Sequence, residues 1–300
     1  MFGSIREDLK HQWSKPNGGL QQLIIINAAV FIIIRFAEFF ITNPESYSVF
    51  LEYIAMPTDL RTLMFRPWTF VTSFFTHYDF WHILWNMLYL YWFGVIVREY
   101  LGSDRLISLY MLGGLTGSAG IVLLFNVIPK FAEMSGGIAL GASAGVFAVT
   151  VGAATLAPNY TFHLLFFGPV KIKYIAAVFV VLAVLGLKGN NFGGEVAHLS
   201  GALIGYLYVR NLQSGRDLGA WVTQTILFIK SFFVRQPKMR VNYSSTKKER
   251  KTTGRKTSTT RASNTPSQEE IDIILDKISQ SGYESLTKEE KERLFNASKR

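Results

Sequence analysis

Residues 141–145 read Gly-Ala-Ser-Ala-Gly and open an apolar run that reaches Ala157 without a charge. A serine among small residues is ambiguous. In lipid, Gly141 and Gly145 form the G-x-x-x-G spacing that lets helix backbones approach, and a hydroxyl beside them commonly bonds a neighbouring helix. The alternative is that Ser143 is a nucleophile, and the rest of the chain must decide between the two.

The 300 residues are 49% hydrophobic and 17% charged, with a positive mean hydropathy of +0.21. That is too apolar for an ordinary soluble domain and indicates a polytopic membrane protein. The formal charge of +10 is concentrated: ten Lys or Arg and one Glu between Arg235 and Arg261 give +9. The membrane part is therefore close to neutral. The chain has no cysteine, which excludes disulfides, thiolate metal sites and a cysteine nucleophile.

Apolar runs of spanning length occur at Leu20–Ile41, Trp81–Val97, Leu106–Ile128, Ile138–Ala157, Ile172–Leu187 and Val196–Val209. Six spans place both termini on one side. Arg6, Lys10, Lys15, Arg98, Arg105, Lys171, Lys173 and the basic tail fall on that side, which the positive-inside bias makes cytoplasmic. The polar start, MFGSIREDLKHQWSKPNGG, precedes a long span without an A-x-A site, so no cleaved signal peptide is expected. The expected organisation is an N-terminal cytoplasmic segment (1–19), a six-helix membrane domain (20–212), an interfacial helix (213–234), a basic disordered linker (235–266) and a helical hairpin (267–300). The fold class is thus all-α.

The first outer connection, 42–78, is long, amphipathic and aromatic, and suits short helices lying in the outer leaflet. Arg35 and Glu38, three apart near the outer end of the first span, suit a local ion pair or snorkelling to the interface. The linker is read as a tether drawn to anionic lipid rather than a nucleic-acid binder. In the tail, Ile271, Ile274, Leu275 and Ile278 recur at helical spacing, Gly282 stops the helix, and Thr287 with Glu290 forms a capping box before Leu294 and Phe295. So small a hairpin is a docking module for an unknown partner or a cap on the cytoplasmic face.

With the N-terminus inside, the second, fourth and sixth spans begin at the outer face. His82 and Asn86, Ser143 and His198 lie at those three beginnings, at one depth. His82 and Asn86, at i and i+4, share a helix face and can donate into one cavity. A histidine near Ser143 can take its proton and return it to a leaving amine. Gly141 and Gly145 flank the serine and Gly201 and Gly205 follow His198, which suits close packing of the fourth and sixth helices. Phe147, one turn after Ser143, can stack on the imidazole. His77 and His163 read as loop residues. A metal site of His77, His82 and His198 is disfavoured because no carboxylate is expected at matching depth, and no metal or cofactor is expected.

The stretches HYDFWHILWNMLYLYWFG, LGSDRLISLYMLGG, GASAGVFAV and AHLSGALIG make residues 66–210 resemble a rhomboid intramembrane serine protease of the bacterial six-span type. The resemblance implies Ser143 as nucleophile, His198 as its partner without an aspartate, and His82 and Asn86 as oxyanion donors with the backbone N–H groups of Ser143 and Ala142. It further implies single-span membrane substrates cut at small residues, lateral access past the fifth helix, the loop 189–194 as a lid, and a bacterial inner membrane. The chain departs from the family in having Phe147 where tyrosine is common, and Trp68-Thr69 where tryptophan-arginine is common, with Arg66 beyond Pro67. A non-catalytic relative that binds membrane helices is the first rival. A transporter or channel is the second, disfavoured by the lack of a broken helix or central charge.

Overall fold

The computed structural model describes residues 18–132, 136–164, 168–233 and 268–297. The expected N-terminal segment up to residue 17 and the basic linker 235–266 lie outside the described residues.

Six longer helices form the bundle: α1 (Gly19–Phe40), α5 (Phe80–Leu101), α6 (Ser103–Val127), α8 (Ser143–Leu156), α9 (Ile172–Gly186) and α10 (Phe192–Gln213). Between the first two lie the short helices α2 (Pro44–Glu52), α3 (Leu60–Phe65) and α4 (Thr69–Thr72), and α7 (Pro129–Ala132) follows α6. Among the described residues α1, α5 and α6 are long and apolar enough to cross a membrane, while α8 and α9 are apolar but shorter. The protein is a mostly helical membrane protein. Two small antiparallel ladders add to the helices: β1 (Met56–Pro57) with β2 (Ile138–Ala139), and β3 (Thr161–Leu164) with β4 (Gly168–Lys171).

Local chemistry fixes the ends of α5 and α6. Asp79 caps α5, its Oδ1 accepting from the His82 N–H at 3.0 Å. Gly102, at φ +86°, closes α5 and lets the chain turn directly into α6.

Helix α8 is the centre of the bundle and packs against α5, α6, α9 and α10. A Cβ placed on Gly201 would fall on the carbonyl oxygen of Ala144, and one on Gly205 on that of Ala148. Thus α10 meets the backbone of α8 directly. Gly145 instead faces α6, where a Cβ would lie 2.9 Å from Tyr110. Glycine spacing predicts that Gly141 and Gly145 meet the sixth helix. Here Ala144 and Ala148, small enough to bare their backbone, make it instead. A polar tie holds α1 to this core: buried Asn27 donates to the Tyr110 hydroxyl at 3.2 Å, and that hydroxyl donates to the Phe74 carbonyl at 2.8 Å.

The long connection 42–78 is anchored on itself and on the chain ahead of Ser143. Arg66 donates to the Glu52 carbonyl at 3.1 Å and lies over the Tyr53 ring, while the Trp68 indole donates to the Tyr53 carbonyl at 2.8 Å. The displaced arginine therefore still ties the loop down. Thr58 bonds Gly136 and Gly137, next to the β1–β2 ladder. Arg35 and Glu38 pair at 2.7 Å.

After α10, helix α11 (Ala220–Phe233) buries Val222, bonds Ser108 through Thr223 at 2.8 Å, and exposes Trp221, Leu227, Phe228, Ile229 and Phe232. Among the described residues the C-terminal unit contains α12 (Gln268–Ser281) and α13 (Lys288–Ala297). Thr287 and Glu290 exchange the two bonds of a capping box, and Lys277 reaches Glu290 at 2.9 Å.

Candidate active site

Ser143 is the first residue of α8. The chain approaches it through β2, and Gly141 at φ +122° then donates its N–H to the Ser73 carbonyl. Only glycine sits easily there. A Cβ would also strike the His82 ring at 2.6–2.9 Å. The expected fourth span from Ile138 is thus shortened, because strand pairing and the Gly141 turn occupy its first five residues. The 14 residues of α8 rise about 21 Å, short of the roughly 30 Å hydrocarbon core.

His198 Nε2 lies 2.8 Å from Ser143 Oγ. The Phe147 ring lies parallel to the imidazole, with centroids 4.4 Å apart and planes 3° from parallel. Helix α10 starts at Phe192 rather than Val196, so His198 is in its second turn and half of the expected lid is helical. On the far side of the imidazole, Glu195 Oε2 lies 3.0 Å from Nδ1. This carboxylate stands at a depth where the sequence predicts none. The i, i+3 relation of Glu195 to His198 was the signal that could have found it.

His82 and Asn86 line the same cavity as Ser143 and His198. Asn86 is buried and uses one amide hydrogen on the His82 carbonyl at 2.8 Å, leaving its second. His77 is wholly buried and packs edge-on against His82, with centroids 5.1 Å apart. Its Nε2 accepts the Ala142 N–H at 3.3 Å. Ala142 is therefore already engaged and is not a free oxyanion donor, contrary to the expectation from the resemblance. His163 is exposed on β3.

Two cavities of about 620 Å³ each meet at Ser143 and His82. One runs under the connection 42–78 past Ser73, Ser118 and Thr58. The other lies between α5 and α9, past Trp85, Tyr89, Phe179 and Leu182. Among the described residues no group of three His, Cys, Asp or Glu is placed to hold a metal ion.

Residues 65–214, half of the chain, match the family described as Rhomboid domain. The chain belongs to the rhomboid family. Within that family it is 31% identical over 198 residues to Rhomboid protein 1, mitochondrial, of Saccharomyces cerevisiae, covering 64% of this chain and 53% of that one. RHOMBOID-like protein 12, mitochondrial, of Arabidopsis thaliana is 29% identical over 205 residues, covering 65% and 58%. Presenilin-associated rhomboid-like protein, mitochondrial, of Rattus norvegicus is 26% identical over 225 residues, covering 69% and 52%. The chain spans a little over half the length of these rhomboid relatives. All three are named as mitochondrial, so they lend no support to the bacterial inner membrane expected above. Outside the rhomboid domain, residues 258–300 match a family of unknown function (DUF6576).

Proposed function

We propose that this rhomboid-family chain is an intramembrane serine endopeptidase. One observation carries the reading: Ser143 Oγ and His198 Nε2, from different helices, are at hydrogen-bond distance with the imidazole stacked on Phe147. A neutral hydroxyl is a poor nucleophile, and a base at 2.8 Å is what it needs. Ser143 Oγ attacks the scissile carbonyl carbon as its proton passes to His198 Nε2. That proton then goes to the leaving amine, which departs as the acyl-enzyme forms. Water, deprotonated by the same nitrogen, attacks the ester carbonyl and releases Ser143.

Charge on the tetrahedral oxygen would be met by His82, the free amide hydrogen of Asn86 and the backbone N–H of Ser143, at the positive end of α8. The six bundle helices cross the membrane, the short α8 and α9 with local thinning of the bilayer, with the basic connections and both termini on the cytoplasmic side and the serine near the other. Helix α11, whose exposed face is apolar, lies on the membrane surface, and the C-terminal hairpin serves a separate partner. Substrates are single-span membrane proteins, which reach the dyad between α5 and α9, where the second cavity is apolar and aromatic.

The test is co-expression with a single-span reporter. Wild type should release the reporter's outer portion, and Ser143→Ala and His198→Ala should not. An intact reporter with wild type, or equal cleavage by the variants, would refute proteolysis by this pair.

A further inference from the structure

We infer that Glu195 is a positioning residue that acts through His198, making the site a Ser143–His198–Glu195 relay of contacts rather than a self-sufficient dyad. This rests on the protease reading for its kinetic consequences, but not for its structural ones. Glu195 Oε2 lies 3.0 Å from His198 Nδ1, while Nε2 of the same ring faces Ser143 Oγ at 2.8 Å. An ionised carboxylate can only accept. Nδ1 must then carry the proton, which leaves Nε2 bare to accept from the serine, the one tautomer in which His198 can act as a base.

Two further features fit a built contact. Glu195 stands in the first turn of α10, where a negative charge complements the helix dipole. Gly186 at the end of α9 leaves room for it: a Cβ there would lie 2.8 Å from the Glu195 carboxyl carbon. The Glu195 and His198 side chains are only 18% and 16% exposed, so water competes weakly for the bond. Phe147 holds the plane of the ring, but a stacked face does not choose which nitrogen bears the proton. Glu195 supplies that choice and offsets the positive charge that His198 gains when it takes the serine proton.

The tautomer is read directly by nitrogen-15 NMR of histidine-labelled protein in detergent micelles. The chain has five histidines, and the His198 signals are those absent from His198→Ala. Wild type should show His198 protonated at Nδ1, whether or not any substrate is cleaved. Glu195→Gln keeps the shape, but its amide can donate to Nδ1 and so favour the unproductive tautomer. It should shift the His198 signals toward Nε2 protonation and lower kcat by ~100-fold or more with little change in KM, as carboxylate-to-amide exchange does in serine proteases with a triad. Glu195→Asp should recover part of the loss. Wild type protonated at Nε2, or Glu195→Gln turning over like wild type, would overturn the inference. Failure of the protease reading looks different: no Ser143-dependent turnover in wild type, with the Nδ1 proton still in place.

Discussion

Phe147 lies flat against His198, the ring centroids 4.4 Å apart and the planes 3° from parallel, one helical turn after Ser143 on α8. The residue that carries the hydroxyl and the ring that orients the imidazole thus share one rigid helix. A contact between aromatic rings is worth about 0.5–1.5 kcal/mol. Phe147→Leu should accordingly slow serine labelling by about 2- to 10-fold at nearly constant stability, whereas Phe147→Tyr, which keeps the ring, should label like wild type. Labelling rates with a fluorophosphonate check both. Unchanged labelling of the leucine variant would mean that the stack does not orient the histidine.

Close approach of α10 to α8 sets the distance between serine and histidine. Gly201→Ala would drive a methyl group into the Ala144 carbonyl, and overpacking of this kind costs about 1–3 kcal/mol. The variant should unfold at a lower temperature in detergent and label more slowly, because backbone cannot yield as a flexible side chain can. Wild-type values for both would show that the helices are not in direct contact here.

Asn86 has one uncommitted amide hydrogen and shares the cavity of Ser143. Loss of a single oxyanion donor typically costs about 10²–10³ in kcat. Asn86→Ala should fall in that range with KM little changed, and residual cleavage should remain because His82 and the Ser143 N–H stay. Steady-state kinetics on a single-span substrate decide it.

His77 makes the fold acid-sensitive. Burial, reinforced by repulsion from His82, pushes its pKa from the ordinary 6.5 down to about 3. Between these values the unfolded chain binds a proton that the folded chain does not, so stability falls as pH drops below about 6.5 and the loss is complete near pH 3. His77→Gln, which can still accept the Ala142 N–H, should be less stable than wild type at neutral pH or equal to it, yet lose less on acidification. Melting temperatures at pH 7 and pH 5 measure this. Parallel declines in the two proteins would contradict it.

Much of this site is legible in the residues alone, because helical spacing fixes faces. His82 and Asn86 at i and i+4 had to share a side of α5, and Phe147 had to follow Ser143 by a turn. What stayed hidden depends on the third dimension. Glycine spacing shows that backbones can approach but not which ones: Gly145 meets Tyr110 of α6 and not α10. The β1–β2 ladder has two residues per strand, too few for an alternating pattern. Glu195 was obscured by its setting: in GNNFGGE the glycines suggested a loop, and only the helix starting at Phe192 puts the carboxylate under His198. His77 gave no sign that it would occupy the Ala142 N–H, since the two are 65 residues apart.

Proteolysis at this site requires that His198 activate the Ser143 hydroxyl. Purified protein in detergent, treated with a fluorophosphonate probe and digested, reports on this without knowledge of any substrate. The prediction is a single adduct on Ser143 that is absent from Ser143→Ala and strongly reduced in His198→Ala. No adduct on folded wild type, or equal labelling of the two variants, would contradict it.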